Sequence, residues 1–322
     1  MPEKRGAMIL NDLVHRRDGG DIQPIAPTRV LRAAVRMPLI RALRPIQWTK
    51  NGFLFAALVF DRKVFQWEPF LSTVVAAILF CCISSAIYLV NDLRDIRGDR
   101  LHPTKRLRPL AAGELSRATA LRTAILLIAV SLIGSWLIRP ELTAIMVGYI
   151  ALMLTYSLGL KRIAILDVFA IATGFVLRAV AGAVAIAVAI SPWLLVCTML
   201  LALFLGFAKR RHELTTLTDA AAHRANLQNY SVPLLDHLIG ICASATVLSY
   251  AFYTFDAAAV PDNHSMMLTI PFVTYAVFRY LYLVHRRNQG GNPEAVLFAD
   301  RPLLGSILAW GFGSIAILYV AS

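Results

Sequence analysis

Apolar residues in this chain are gathered into long runs, and short polar connections separate them. The runs cover residues 48–62, 70–90, 118–138, 141–158, 164–188, 191–208, 234–255, 266–284 and 302–320. Most approach the roughly 20 residues that a helix needs to cross a bilayer, and the first is the shortest. The pattern predicts an all-α integral membrane protein of about nine transmembrane helices.

Composition agrees. The chain is 58% hydrophobic over 322 residues, against about 45–50% for a soluble globular domain. Its net charge of +13 is unevenly placed. Bases crowd the segment from Lys4 to Arg44 and the connections 91–122, 209–233 and 285–301. The opposite side has only Arg62, Lys63 and Arg139. The positive-inside rule makes the rich side cytoplasmic, with the N-terminus inside and the C-terminus outside. The bases flank membrane spans rather than a soluble domain, which argues against a nucleic-acid partner. Cys81, Cys82, Cys197 and Cys242 lie within apolar runs without zinc spacing and read as small buried hydrophobes.

Residues 1–27 are polar and lack the apolar core of a signal peptide, so a tail without a core is expected. Arg29, Arg32 and Arg36 then recur at helical spacing, as in a short helix on the inner leaflet, with Pro38 expected to break or bend it. This divides the chain into an N-terminal tail, residues 1–43, and a transmembrane domain, residues 44–322.

The stretch Asn91-Asp92-Leu93-Arg94-Asp95-Ile96-Arg97-Gly98-Asp99 follows directly on the second run. If the helix continues past Val90, Asn91, Asp95 and Asp99 share one face, a turn apart. Stacked carboxylates repel unless a cation sits among them. Arg100, Lys105, Arg106 and Arg108 follow at once. Acids able to hold Mg²⁺ beside bases able to hold phosphates point to a diphosphate site at a membrane surface.

Further cations lie at the cytoplasmic ends of spans. Lys50 either snorkels to headgroups or faces the bundle as a phosphate ligand. Tyr88, three residues before Asn91, is an interfacial aromatic or lines the site. Lys161 ends the fourth span. Arg178 lies deep in the fifth, eleven residues after Asp167. It is tied to Asp167, bonded to helix carbonyls, or placed at the floor of a phosphate-lined cavity. Lys209-Arg210-Arg211 is a positive-inside collar or a second bank of phosphate ligands. Arg279 and His285 are expected to snorkel. Zinc spacing, a Ser/His/Asp nucleophile arrangement, a P-loop and a Gly-x-Gly-x-x-Gly are all absent from the sequence.

These residues resemble the UbiA superfamily of intramembrane prenyltransferases. Its first signature looks like Asn91-Asp-x-x-Asp95-x-x-x-Asp99. The resemblance is closer to the decaprenyl-phosphate phosphoribosyltransferase branch. It rests on Arg44-Pro-Ile-Gln-Trp-Thr-Lys50-Asn51, Tyr88-Leu-Val-Asn-Asp-Leu-Arg-Asp, His102-Pro-Thr-Lys105-Arg-Leu-Arg-Pro, Ala111-Ala-Gly113, Tyr156-Ser-Leu-Gly-Leu-Lys161, Arg178-Ala-Val-Ala-Gly182 and Lys209-Arg210 with Glu213-Leu214. It covers about residues 40–310.

The resemblance implies helices around a central cavity under a cytoplasmic cap of loops. It implies a multi-pass protein of the bacterial inner membrane with its site facing the cytoplasm. The implied reaction is Mg²⁺-dependent transfer of 5-phosphoribose from phosphoribosyl diphosphate (PRPP) to a polyprenyl phosphate, an early step towards a polyprenylphosphoryl-arabinose donor. A homo-oligomer, such as a trimer, is implied as well. Asn91, Asp95 and Asp99 would hold Mg²⁺, with Asp92 beside them. Lys105, Arg106, Arg108, Lys161 and Arg178 would hold phosphates, as would Lys209 and Arg210. Lys50 and Tyr88 would position the lipid phosphate. Ordinary superfamily members carry a second Asp-x-x-x-Asp motif after the sixth span; here that loop reads Lys209-Arg-Arg-His-Glu213. This favours the phosphoribosyl branch over the alternative, prenyl transfer to an aromatic acceptor. Arg211 stands where the branch has an aromatic residue. A channel or transporter would explain the apolar spans, but not acids and bases clustered on one side.

Overall fold

The computed structural model describes residues 37–102, 104–216, 226–257 and 260–320. The tail, the arginines Arg29, Arg32 and Arg36, and Asp219 lie outside the described residues. Helix α1 is Pro38–Leu43. Pro38 opens this helix, because a first-turn proline lacks only a donor that the helix would leave unbonded. Arg44 ends α1 in the left-handed region (φ 56°, ψ 60°).

Among the described residues, eight helices are long and apolar enough to cross a membrane. In chain order the helices after α1 are α2 (Phe55–Phe60), α3 (Trp67–Leu101), α4 (Arg117–Ile138), α5 (Pro140–Leu158) and α6 (Leu166–Ala185). Then come α7 (Pro192–Thr216), α8 (Val232–Asp256), α9 (Ile270–Arg286), α10 (Pro293–Ala299) and α11 (Arg301–Val320). Helix α9 is extended at its start by a 3₁₀ turn, Ser265–Thr269.

The expected first span takes another form. Pro45–Leu54 is a 3₁₀ helix that runs directly into α2. The tighter winding rises about 2.0 Å per residue rather than about 1.5 Å. Ten such residues and six α-helical ones together reach nearly the roughly 30 Å of a bilayer's hydrocarbon. The shortest apolar run is thereby long enough, at the cost of poorer hydrogen-bond geometry.

Helix α3 has the opposite character. Its 35 residues make it about 52 Å long. Its final turns therefore stand clear of the hydrocarbon and carry Asn91 to Asp99. It stops at His102, which is extended (ψ 134°) as a residue before proline prefers.

The core forms several packed groups. Leu54, Phe80, Ile83, Met146, Tyr149 and Ala181 join the first span to α3, α5 and α6. Phe204, Phe207, Leu235, Ile239, Tyr280 and Leu283 join α7, α8 and α9. Outward-facing Leu121, Ile125, Leu126, Ile133, Trp136 and Leu137 on α4 present apolar surface suited to lipid. Arg279 does not simply snorkel. It holds Asp300 with two bonds of 3.0 and 2.8 Å, and Asp300 also accepts the Leu303 backbone N–H at 2.9 Å. The Arg279 guanidinium holds the Asp300 carboxyl below its usual range.

One close approach fixes the 3₁₀ segment against α6. A Cβ on Gly182 would lie 1.9 Å from the Leu54 carbonyl oxygen. Only glycine admits that backbone contact. Gly182→Ala is expected to cost about 1–3 kcal/mol by overpacking, read as a lower thermal midpoint in detergent. Gly148→Ala, where a Cβ meets nothing within 4 Å, is the control and should leave the midpoint unchanged or raise it. Equal midpoints for the two variants would refute the close approach.

Candidate active site

The overhanging end of α3 presents two faces of different chemistry. Asp92 and Asp99, seven residues apart, lie almost on one line of the helix. Both are buried. Arg108 bridges them, at 3.0 Å to Asp92 and 2.7 Å to Asp99, and Arg44 adds a 2.6 Å bond to Asp92. Two buried carboxylates this close are tolerable because a guanidinium lies between them. The loop after α3 bends back to deliver it. His102 Nδ1 accepts the Lys105 backbone N–H (3.3 Å), Arg100 Nε donates to the Ala111 carbonyl (3.2 Å), and Arg41 bonds the Leu107 carbonyl (3.1 Å).

Asn91 and Asp95 form the second face, one turn apart and partly exposed. Asn91 Oδ1 accepts from Ser157 Oγ at 2.6 Å, and Asp95 lies 3.4 Å from Lys161 Nζ. Asp99 was expected here as a third oxygen but instead shares Arg108 with Asp92. Eight residues of α-helix rotate it about 80° from Asn91, whereas seven return it to the line of Asp92. Among the described residues, no three His, Cys, Asp or Glu side chains converge as a metal cage. Two oxygen-bearing side chains with open coordination suit Mg²⁺, which keeps waters and substrate phosphates among its ligands.

Below this rim lies a cationic interior. Arg178 is 5% exposed. It donates to Asn51 Oδ1 (2.8 Å), the Gly174 carbonyl (2.8 Å) and the Tyr149 hydroxyl (2.7 Å). Of the alternatives the sequence left open, the bond to a helix carbonyl is the one seen, through Gly174. All three partners are neutral, so the guanidinium keeps its full positive field inside the bundle. Arg44 stacks over the Tyr88 ring at 4.8 Å. Lys50 Nζ lies 3.3 Å from Glu294, with Arg178 and Arg44 as its other charged neighbours. Burial would raise the Glu294 carboxyl, but Lys50, the residue's own backbone N–H and Lys209 together outweigh it and hold the group below the usual carboxylate range.

The sequence pattern of the UbiA prenyltransferase family matches residues 52–300. The chain belongs to the UbiA prenyltransferase family. Among its relatives, the decaprenyl-phosphate phosphoribosyltransferase of Mycobacterium tuberculosis is 35% identical over 277 residues, covering 84% of this chain and 91% of that one. The enzyme of the same name from Corynebacterium glutamicum is 36% identical over 289 residues, 88% and 87% of the two chains. The structure of a UbiA homolog from Archaeoglobus fulgidus bound to DMAPP and Mg²⁺ superposes with a TM-score of 0.65 at 22% identity, covering 87% of this chain and 99% of that one. That likeness establishes the fold.

Within this UbiA fold, the basic bank on α7 is divided three ways. Arg210 is 2% exposed and pairs with Asp167 (2.8 Å) and Glu213 (2.8 Å), and Asp167 also accepts from the Tyr230 hydroxyl (2.8 Å). Its charge is matched inside the protein. Arg211 ties α7 to α8 through Asp236 (2.5 Å). Lys209 is exposed, with Lys50, Glu213 and Glu294 among its charged neighbours. Lys105 is partly exposed and Arg106 exposed on the 3₁₀ turn Lys105–Leu107, above the α3 acids.

Sequence reasoning left five contributors out of the site: Arg44, Asn51, Tyr149, Ser157 and Glu294. Arg44 and Asn51 stood within a quoted motif. Glu294 had a signal of its own, as the one acid in the basic stretch 285–299. Ser157 also stood within a quoted motif, Tyr156-Ser-Leu-Gly-Leu-Lys161, and Tyr149 had no signal, because a tyrosine in an apolar run reads as ordinary core.

The Asp167–Arg210 pair gives a prediction about stability. Asp167→Ala leaves a buried guanidinium without its one fully buried carboxylate partner and should cost about 3–5 kcal/mol. Asp167→Leu combined with Arg210→Met should recover most of that loss. Thermal unfolding in detergent measures both. A double variant no more stable than Asp167→Ala would show that the pair does more than satisfy itself.

Proposed function

We propose that this chain transfers the 5-phosphoribosyl group of PRPP to a polyprenyl phosphate of the decaprenyl type, releasing diphosphate. The relatives named decaprenyl-phosphate phosphoribosyltransferase support the reading. One observation in the site carries it. A single Asn91–Asp95 face lies beside cations, and Arg178 in the interior is bonded only to neutral groups. That arrangement suits two phosphate-bearing substrates better than one prenyl diphosphate and a neutral aromatic ring. We take the site to face the cytoplasm from a bacterial inner membrane, a reading that the basic ends of the spans support.

Asn91 and Asp95 would hold Mg²⁺ through oxygen. Bound there, the ion would offset charge on the diphosphate as it departs. Lys105, Arg106 and Lys161 hold the donor's phosphates. Arg178 draws anionic groups towards the interior, while Lys50 and Tyr88 position the lipid phosphate. An ionised oxygen of that phosphate attacks ribose C1. The bond from C1 to the diphosphate oxygen breaks, and its electron pair leaves with the diphosphate. In-line displacement inverts the anomeric centre. The nucleophile is already ionised near neutrality, so no general base is required. Catalysis then consists of positioning and of cationic groups aimed at the leaving group. Asp92, Asp99, Arg108 and Arg44 hold the rim in shape.

Purified protein is incubated with labelled PRPP and decaprenyl phosphate, and label entering the organic phase is counted. Asp95→Asn and Lys105→Ala should each lower kcat/KM by about 100-fold or more, the effect of removing one leaving-group contact. Both should keep the thermal midpoint of the wild type. Chelation should stop transfer and added Mg²⁺ restore it. Full activity in both variants, or transfer of a prenyl group to an aromatic acid in place of phosphoribose, would overturn the assignment.

A further inference from the structure

The connection between α9 and α10 is built against the cytoplasmic end of α7. A Cβ on Gly290 would lie 2.6 Å from the Ala208 carbonyl oxygen, and one on Gly291 would lie 2.3 Å from the His212 ring. Asn288 is bonded to Thr215 Oγ1 at 3.0 Å. The chain therefore passes directly over the turn that carries Lys209. Helix α10 begins two residues after Gly291 and sets Glu294 against Lys50 of the first span, 3.3 Å away. Glu294 also lies within electrostatic reach of Lys209, and Tyr88 has Glu294, Arg178 and Arg44 as charged neighbours. One carboxylate thus stands at the edge of a group of four cations: Arg44, Lys50, Arg178 and Lys209.

A phosphate that approaches the Lys50 ammonium meets a carboxylate already in contact with it, and the two anions repel across a few ångströms and compete for the same charge. Lys50 and Glu294 keep 27% and 22% of their side chains exposed. The pair is therefore reachable from the cytoplasmic mouth, unlike the sealed Arg210–Asp167 pair at 2% and 0%.

We propose that Glu294 is a displaceable internal anion that holds Lys50 in the place of a substrate phosphate and sets which lipid anions can enter. A phosphomonoester dianion, with more charge and three acceptor oxygens, takes Lys50 from it. A neutral polyprenol does not, and a lipid carboxylate gains no advantage over the residue already there. Glu294 is in this sense a specificity-determining residue on the cap. The inference rests on Lys50 as a ligand of the lipid phosphate.

The test uses the full chain in detergent and farnesyl phosphate as the probe, with farnesol and farnesoic acid as controls. Binding is followed by calorimetry for the wild type, E294Q, E294A, K50A and K50A/E294Q. Removing the competing carboxylate should tighten farnesyl phosphate binding about two- to fivefold, the range of a partly exposed ion pair. Farnesoic acid should gain measurable affinity, and farnesol should not change. In turnover, KM for the lipid phosphate should fall while kcat stays level or drops. In the K50A background, removing Glu294 should have no effect on affinity. Two Glu294 variants keep the test readable if one fails to fold. Weaker or unchanged affinity in a folded Glu294 variant, or the same gain without Lys50, would overturn the proposal alone. No farnesyl phosphate binding by the wild type would overturn it together with the lipid-phosphate reading. Binding without phosphoribosyl transfer would leave it standing and remove only the choice of donor.

Discussion

A charge inside a membrane protein must be matched by an opposite charge or used on a substrate, and this constraint sorts the cations of the present chain. Arg210 is matched by Asp167 and Glu213, and Arg108 is matched by Asp92 and Asp99. Arg178 differs in kind, because an amide, a carbonyl and a phenol hold it in place without cancelling its charge. Lys50 and Lys161 fall between, each opposite one partly exposed carboxylate, which on the proposed reading a substrate phosphate replaces. The same side-chain chemistry thus serves as a brace, a fixed field or an exchangeable contact according to its partners.

The two unusual helices make that sorting possible. Helix α3 is long enough to pass out of the hydrocarbon, so its acids meet water and loops rather than lipid tails. The 3₁₀ winding of Pro45–Leu54 lets a short apolar run reach across while turning Trp48, Lys50 and Asn51 to different neighbours. Trp48 Nε1 donates to Ser85 Oγ (2.9 Å), Lys50 meets Glu294, and Asn51 receives Arg178. Gly182 is the condition for this, since any side chain there would push the segment away from Arg178's own helix.

Much of this was legible in the residues. Runs of apolar residues gave eight of the long helices, because length in hydrocarbon is set by composition alone. The first run was legible as a span but not as a 3₁₀ helix, since the pattern of apolar positions carries little information about winding in a uniformly apolar segment. The acids of α3 were found from their spacing. Their division into two faces was not, because residues four apart drift by about 40° per step and two such steps leave the starting face. The role of Arg210 depended on Asp167, 43 residues away, and no local pattern reports a pairing across helices. Glu294 stood out as the one acid of a basic stretch, but its pairing was hidden for the same reason: its partner, Lys50, lies near the other end of the chain.

The distribution of matched and unmatched charge also bears on why one acidic face is enough. A prenyl diphosphate brings its charge to the site in a single group, and a second acidic bank helps to gather metals around it. A ribosyl donor with a separate 5-phosphate spreads its charge, and an anionic lipid adds more from the membrane side. More acids would then repel substrate, and a cationic interior is the better counterpart. Replacing the second acidic bank with Lys209 and a self-neutralised Arg210–Asp167 pair does this without leaving a run of unmatched cations buried in the bundle. The fold keeps its Asn91–Asp95 face at the rim and its uncancelled charge at Arg178 in the interior; on the proposed reading, the first serves a diphosphate that must leave to water and the second an incoming lipid phosphate.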